Sequence, residues 1–296
     1  MPGIKELKTR IKSIGSMRKI TRAMQMVSAA KMRKAQNATL SSRGYSNLAW
    51  ELIENLAANV DYSNPLMANY PEAKKVGVIL LSSNMGLVGS LNSNLMPKVR
   101  EINGGETIAE LVTYGKHAKS IAVKLNKTIA ADFTKVDRTI TTEDVYPLAQ
   151  FITKAYSSGQ YKKIVIIYNL FVSTLAQKPT VRQLLPFKEN SGSSRAGQTW
   201  DEADAQTDTE NSPYLFEPNP KEVLNHLLPR IIESQIYQAI LESDASEQSA
   251  RMVMMKNATE AAGDLISDLT LTFNQLRQNK ITTELAEITA GKIALE

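Results

Sequence analysis

The sequence predicts an α/β fold of a particular kind: a central Rossmann-like α/β domain inserted between two long terminal helices that form an antiparallel coiled coil. Three observations carry that expectation. Residues 221–296 place apolar side chains three or four positions apart, through Leu224, Leu228, Ile231, Ile236 and Ile240, then Ala262, Ile266, Leu269, Phe273 and Leu276, then Ile281, Leu285 and Ile288. That spacing is helical. Residues 3–60 repeat it with Ile4, Leu7, Ile11 and Ile14, then Met17, Ile20, Met24 and Val27, and later Leu48, Leu52 and Leu56. Between the two, short apolar runs alternate with helical patterns, as in a mostly parallel sheet covered on both faces.

The first helix spans residues 1–60. Its opening positions follow a heptad, and between Ile14 and Met17 the repeat shifts by three residues, an irregularity that overwinds a coiled coil. Up to Lys34 it carries ten basic residues (Lys5, Lys8, Arg10, Lys12, Arg18, Lys19, Arg22, Lys31, Arg33 and Lys34) against Glu6 alone, so its exposed face is positive. Residues 61–75 hold Asn64, Pro65 and Pro71 and form a linker. The α/β domain covers 76–187. Val76–Leu81 and Lys163–Tyr168 are strand-length apolar runs, and Glu110–Tyr114 is a third strand candidate. Helical patterns separate them over Leu91–Ile102, Lys116–Asn126 and Thr142–Ser158, and Phe171–Phe187 reads as an appended hairpin or edge with Pro179 near its turn. Residues 188–218 are polar and acidic, with the character of a mobile loop. Residues 219–296 are the second long helix, with Pro229 inside it or at its first turn. At 1.5 Å of rise per residue, the stretch from Lys221 to Glu296 would be about 110 Å long, too long to bury itself in one compact core. It needs a partner, and the basic first helix is the available one.

A register follows from where each helix is thin. Ser28, Ala29 and Ala30 on the first meet Ala258, Ala261, Ala262 and Gly263 on the second if paired numbers sum to about 290. That sum sets Ile4 near Leu285 and leaves Glu287–Glu296 projecting as a single tip.

Composition narrows the chemistry. The chain has 296 residues, 43% hydrophobic and 22% charged, which is ordinary for one or two globular domains. No run approaches the 18 or more apolar residues of a membrane span, and the basic N-terminus lacks a secretory apolar region and is read as part of the mature protein. Zero cysteines exclude disulfides, thiol catalysis and cysteine metal sites. His117 and His226 lie on separate helical segments, which argues against a metal site or a nucleophilic triad. The strand Val76–Leu81 runs into SSNMGLVGSLNSN, where Gly86 and Gly89 are placed as in a phosphate turn, but there is no GxGxxG, no lysine after the glycine pair and no acid about 20 residues on. Structural use of these glycines is the better reading. Asp201, Glu202, Asp204, Asp208 and Glu210 read as a solvated loop rather than a cation site. The basic helix admits nucleic-acid binding, against which stand its apolar stripe and its lack of interleaved aromatics. Met17, Met24, Met26, Met32, Met252, Met254 and Met255 read as adaptable packing between helices.

The runs KITRAMQMVSAAKMRKAQ and ASEQSARMVMMKNATEAAGDLISDLTLTFNQLRQNKITTELAEI, with SSNMGLVGSLNSNL, QLLPF and LLPR between them, resemble the gamma subunit of rotary, F-type ATP synthases over the whole chain. The resemblance implies a central-stalk rotor subunit, not itself catalytic and without a cofactor. Its terminal helices would turn inside a ring of three alpha and three beta subunits, with the α/β domain touching epsilon and the c-ring, peripheral to the cytoplasmic face of a bacterial membrane. Proton flow would turn the ring and shaft, forcing the catalytic beta subunits through successive conformations. By motif, the resemblance places Met24 against a loop of beta, makes Arg251, Gln278, Thr282 and Glu284 coupling positions, and sets Lys19, Arg22, Lys31 and Arg33 against acidic surfaces. This chain departs from the family at its glycine turn, with Asn84, Met85 and Val88 where Asp, a basic residue and Cys are common.

Overall fold

The computed structural model describes residues 3–59, 64–102, 108–138, 140–187 and 219–295. The acidic segment expected to be a loop lies outside these residues. In chain order, the strands and short helices of a mixed α/β unit lie between two terminal helices, α1 (Ile4–Asn59) and α5 (Pro220–Leu295). Asn219 starts α5: its side-chain oxygen accepts the Glu222 backbone N–H at 2.9 Å, and Pro220 takes the first position, where a missing N–H costs nothing. Pro229 therefore lies inside the helix, past its first turn.

The chain divides into two compact units, residues 30–250 and residues 1–29 with 251–296. In the larger unit a five-stranded sheet has the order β3-β2-β1-β4-β5, formed by β1 (Lys75–Leu81), β2 (Ile108–Tyr114), β3 (Ile129–Phe133), β4 (Lys163–Phe171) and β5 (Gln177–Leu185). The first four run parallel and β5 is antiparallel to β4. The expected edge hairpin is present, but Pro179 sits within β5 opposite Asn169 rather than in the turn. An outer strand tolerates proline because its N–H can face away from the ladder. β3 is not among the strands that the sequence predicts.

Alternation along the strands builds two cores. Val76, Val78 and Leu80 pack with α2 (Leu95–Ile102) and α3 (Lys116–Lys124), while Ile79 and Leu81 face α4 (Thr142–Ser157) and the start of α5. Leu224, Leu228, Ile231, Ile232, Ile236 and Ile240 are all buried on that second face. Each contributes about 1.5–3 kcal/mol of burial. The first seven turns or so of α5 are thus core of the α/β unit, and only the remainder needs a helical partner.

In the smaller unit, the Thr21 and Thr259 hydroxyls are hydrogen-bonded to each other at 2.8 Å, and the Arg18 guanidinium covers Gly263. These contacts correct two expectations. Paired numbers sum to about 280, not 290, which sets Ile4 opposite Leu276. Side chains from Arg277 to Ala290 are exposed throughout, so the unpaired end begins about ten residues earlier than expected. Nor does the heptad break after Ile14. It continues through Arg18, Thr21, Gln25 and Ser28, the last buried, and on α5 it runs through Met255, Thr259, Ala262, Ile266, Leu269, Phe273 and Leu276. Met17, Ile20 and Val27, expected in that stripe, are each more than half exposed. Polar residues occupy the seam here, and apolar ones face outward.

Candidate functional site

Two places invite function, and one of them is closed. In doubly wound sheets ligands bind beyond the carboxyl ends of the strands, where strand order reverses, which here is between β1 and β4. The chain fills that edge itself. Ser246 Oγ donates to the Asn169 carbonyl in β4 at 2.8 Å, and Ser249 Oγ donates to the Thr174 carbonyl just beyond it at 2.6 Å. Leu91 and Val88, from the loop after β1, are buried with Ala250 of α5. Asn169 Nδ2 donates to the Leu91 carbonyl at 3.2 Å.

The helix N-terminus that would cradle a phosphate is also spent. Ala118 N–H donates to Ser82 Oγ at 2.6 Å, His117 N–H to the Ser83 carbonyl at 3.2 Å and Lys116 N–H to Asn84 Oδ1 at 3.3 Å. A helix end binds anions through free N–H groups, and these three are satisfied. The α3 terminus therefore offers no anion site. Among the described residues no cluster of three or more His, Asp or Glu side chains could hold a metal ion, and no helix is long and apolar enough to cross a membrane.

Where α5 crosses the sheet edge, Lys135 is buried and held by Asp244 and by Glu247, the latter at 2.6 Å. Burial pulls the ammonium pKa down, but the two facing carboxylates more than offset this and hold it above the ordinary lysine value. Burial pushes the Asp244 carboxyl up despite the attraction of Lys135 and a smaller one from Lys31. The neighbouring Tyr114 phenol is raised by burial to about 12, with Lys135 pulling the other way. Sequence reading finds none of this network, whose partners lie more than a hundred residues apart.

The second place is the surface of α1 in the smaller unit. At about 100° per residue, Met17, Ile20, Met24 and Val27 share one side, about a third of a turn from the paired seam. Lys19, Arg22 and Met26 share another, displaced by a similar angle the opposite way. Met17, Ile20, Met26 and Val27 are all more than half exposed, and Lys19 and Arg22 are exposed, while Met24 is half-buried. The helix thus has a seam, an apolar face and a basic face. In the same unit α5 exposes Leu271, Ile281, Leu285 and Ile288. A helix end that exposes this much apolar surface is an interaction surface.

The residues singled out from the sequence fall as follows. Lys19 and Arg22 are together on the basic face, and Met24, half-buried, is on the apolar one. Gln278 and Thr282 are exposed one turn apart, with the Thr282 hydroxyl donating to the Gln278 carbonyl at 3.0 Å. Glu284 is exposed 3.6 Å from Lys280. Arg251, by contrast, is buried. Lys31 and Arg33, in the larger unit, are exposed on α1. Sequence patterning alone assigns Met17, Ile20, Met26 and Val27 to packing, and only their continuity with Met24 on one helix side signals otherwise.

Comparison with known proteins gives a consistent answer. The model of a family described as ATP synthase matches residues 3–295. The ATP synthase gamma chain of Glaesserella parasuis is 41% identical over 303 residues, covering 100% of both chains. That of Haemophilus influenzae is 39% identical over 302 residues, again covering 100% of both. Among solved structures, a chain of the Euglena gracilis mitochondrial ATP synthase (OSCP/F1/c-ring, rotational state 3) superposes with a TM-score of 0.70 at 18% identity, covering 99% of this chain and 94% of that one. A chain of the Tetrahymena thermophila mitochondrial ATP synthase central stalk/c-ring gives a TM-score of 0.58 at 20% identity, covering 81% and 99%. With a family model and relatives matching along its full length, the chain belongs to the ATP synthase gamma chain family.

Proposed function

We propose that the chain is the central-stalk rotor of a proton-translocating F-type ATP synthase. It couples rotation of a membrane c-ring to sequential conformational change in catalytic beta subunits and performs no chemistry itself. In this reading α1 and the distal part of α5 form an antiparallel coiled coil inside three alpha and three beta subunits. The Rossmann-like α/β unit meets epsilon and the c-ring at the cytoplasmic face of a bacterial membrane, making the chain a peripheral membrane protein.

The observation that carries this reading is the pair of uncovered faces on α1. An apolar side presenting Met17, Ile20 and Val27 and a basic side presenting Lys19 and Arg22 make the helix different in every direction. A turning shaft does work on surrounding sites only if its contact free energy changes with angle, because a partner shifts an equilibrium by its differential affinity alone. Exposed charges attract weakly and are screened by salt, which suits a contact that must slide. Met24 on the apolar face, Lys19, Arg22, Lys31 and Arg33 towards acidic surfaces, and Gln278, Thr282 and Glu284 on the unpaired end are the residues that would transmit the coupling. Arg251, buried, would act by holding the helix rather than by touching a moving partner.

The test is reconstitution with alpha and beta subunits of the same enzyme. The purified chain should hydrolyse no ATP and should restore multi-site ATPase activity to the mixture. Lys19→Glu/Arg22→Glu/Arg33→Glu should lower that activity several-fold at low ionic strength, with the deficit shrinking as salt rises. ATP hydrolysis by the chain alone, or a triple variant indistinguishable from wild type at low salt, would contradict the proposal.

A further inference from the structure

Within the larger unit, α1, β4 and α5 line a partly open cavity of about 380 Å³ bounded by Gln36, Asn37, Thr39, Leu40, Phe171, Glu242 and Ala245. Its walls are mostly apolar, and one charged group faces it. Glu242 is only 2% exposed. Its Oε1 accepts a hydrogen bond from Gln238 Nε2 at 3.0 Å, while its Oε2 is buried with no hydrogen-bond partner. A buried carboxylate oxygen left without a donor is costly, so native proteins seldom keep one without a use.

Among the described residues that line the cavity there is no cation. The Thr39 hydroxyl is turned back to the Ala35 carbonyl at 2.9 Å. Lys135, the buried cation that reaches this stretch of α5 from the segment after β3, is held by Asp244 and Glu247.

We propose that this cavity is a binding site for a small amphipathic organic cation, a primary amine carried on an apolar body. The ammonium donates to Glu242 Oε2, and the body packs against Leu40, Phe171 and Ala245. Size and chemistry exclude the alternatives. The volume lies at the lower end of sites that bury small organic ligands and far exceeds a single ion. A hard metal cation needs six or more oxygens, and the mostly apolar wall presents one carboxylate. Anions are repelled by the same carboxylate. The Phe171 ring adds a surface on which either a cation or an apolar chain can settle. Because the occupant touches α1, β4 and α5 together, it links the three elements. The site shares no residue with the coupling positions and does not rest on the rotor proposal.

The full chain should be titrated at pH 7 with 4-phenylbutylamine and with its neutral isostere 4-phenylbutan-1-ol, by calorimetry or ligand-observed NMR. The amine is expected to bind at least tenfold more tightly than the alcohol. Glu242→Gln should reduce the amine to the affinity of the alcohol. Leu40→Trp, at an exposed position, should weaken both by filling the mouth of the cavity, and it supplies an arm that leaves the buried carboxylate in place. Equal affinities for amine and alcohol, amine binding unchanged in Glu242→Gln, or no amine binding at millimolar concentration would each overturn the proposal.

Discussion

Replacing Lys135 by methionine is expected to destabilise the α/β unit by about 3–5 kcal/mol near pH 8, because it leaves Glu247 buried and Asp244 half-buried without their counter-ion. The loss should depend on pH in a defined direction. In the wild type the Lys135 pKa is raised, so its stabilising contribution is fully present below the ordinary lysine value and disappears only in strong alkali, as pH rises through the folded value. Asp244 is also raised. Its folded form holds a proton more tightly than the unfolded chain does, so its contribution is greatest in acid and falls as pH rises through the folded value. Removing Lys135 takes away the attraction that lowers the Asp244 carboxyl, so the penalty in Lys135→Met should be largest at pH 8 and shrink towards pH 5 as Asp244 protonates. Lys31 and Tyr114 also face the cluster, and neither supplies the hydrogen bonds that Lys135 makes. Hydrogen exchange of β1 and β4 amides across this range reads the stability of the unit directly. A penalty under about 1 kcal/mol, or one that does not change with pH, would show that the triad is not a buried ion cluster.

Gly115→Ala is expected to be nearly as damaging. Gly115 lies between β2 and α3 with φ 96° and ψ 153°, a region open essentially to glycine alone. A Cβ there would lie 2.5 Å from the Ser82 carbonyl oxygen, which is backbone and cannot rotate away. Strain of about 1–3 kcal/mol adds to an overpacking cost of similar size. The total should be about 3 kcal/mol or more, seen as a lower urea midpoint for loss of sheet protection. The same close approach lets Ser82 Oγ accept the Ala118 N–H, so the substitution should also expose the α3 terminus. A cost below about 1 kcal/mol would mean that the turn relaxes freely.

What the sequence reveals and what it conceals have physical reasons. The terminal helices, β1, β2, β4 and the edge hairpin are legible because each carries a clear period or an unbroken apolar run. β3 is not: Ile129–Phe133 is five residues long and alternates half-buried with exposed positions on the outer edge of the sheet, too short a signal to stand out. The expected register is off because it matches small residues to small residues, whereas Gly263 makes room for the Arg18 guanidinium.

The apparent break in the heptad has the most instructive cause. Hydrophobic periodicity leads from Ile14 to Met17, Ile20 and Val27, but the seam runs through Arg18, Thr21, Gln25 and Ser28. Where a helix meets two partners, its apolar residues need not mark the internal one. Glu242 and Lys135 are invisible in the sequence for a different reason: their significance lies in what surrounds them in three dimensions, and no local pattern encodes it.

Rotation itself is the most direct measurement of the central claim. The sequence contains no cysteine, so a single one introduced at Leu175, which is exposed on the β4–β5 turn, can carry a bead while beta subunits are fixed to a surface. The account predicts unidirectional, stepwise rotation of the bead driven by ATP. Sustained ATP hydrolysis by the assembled complex with the bead stationary would contradict it.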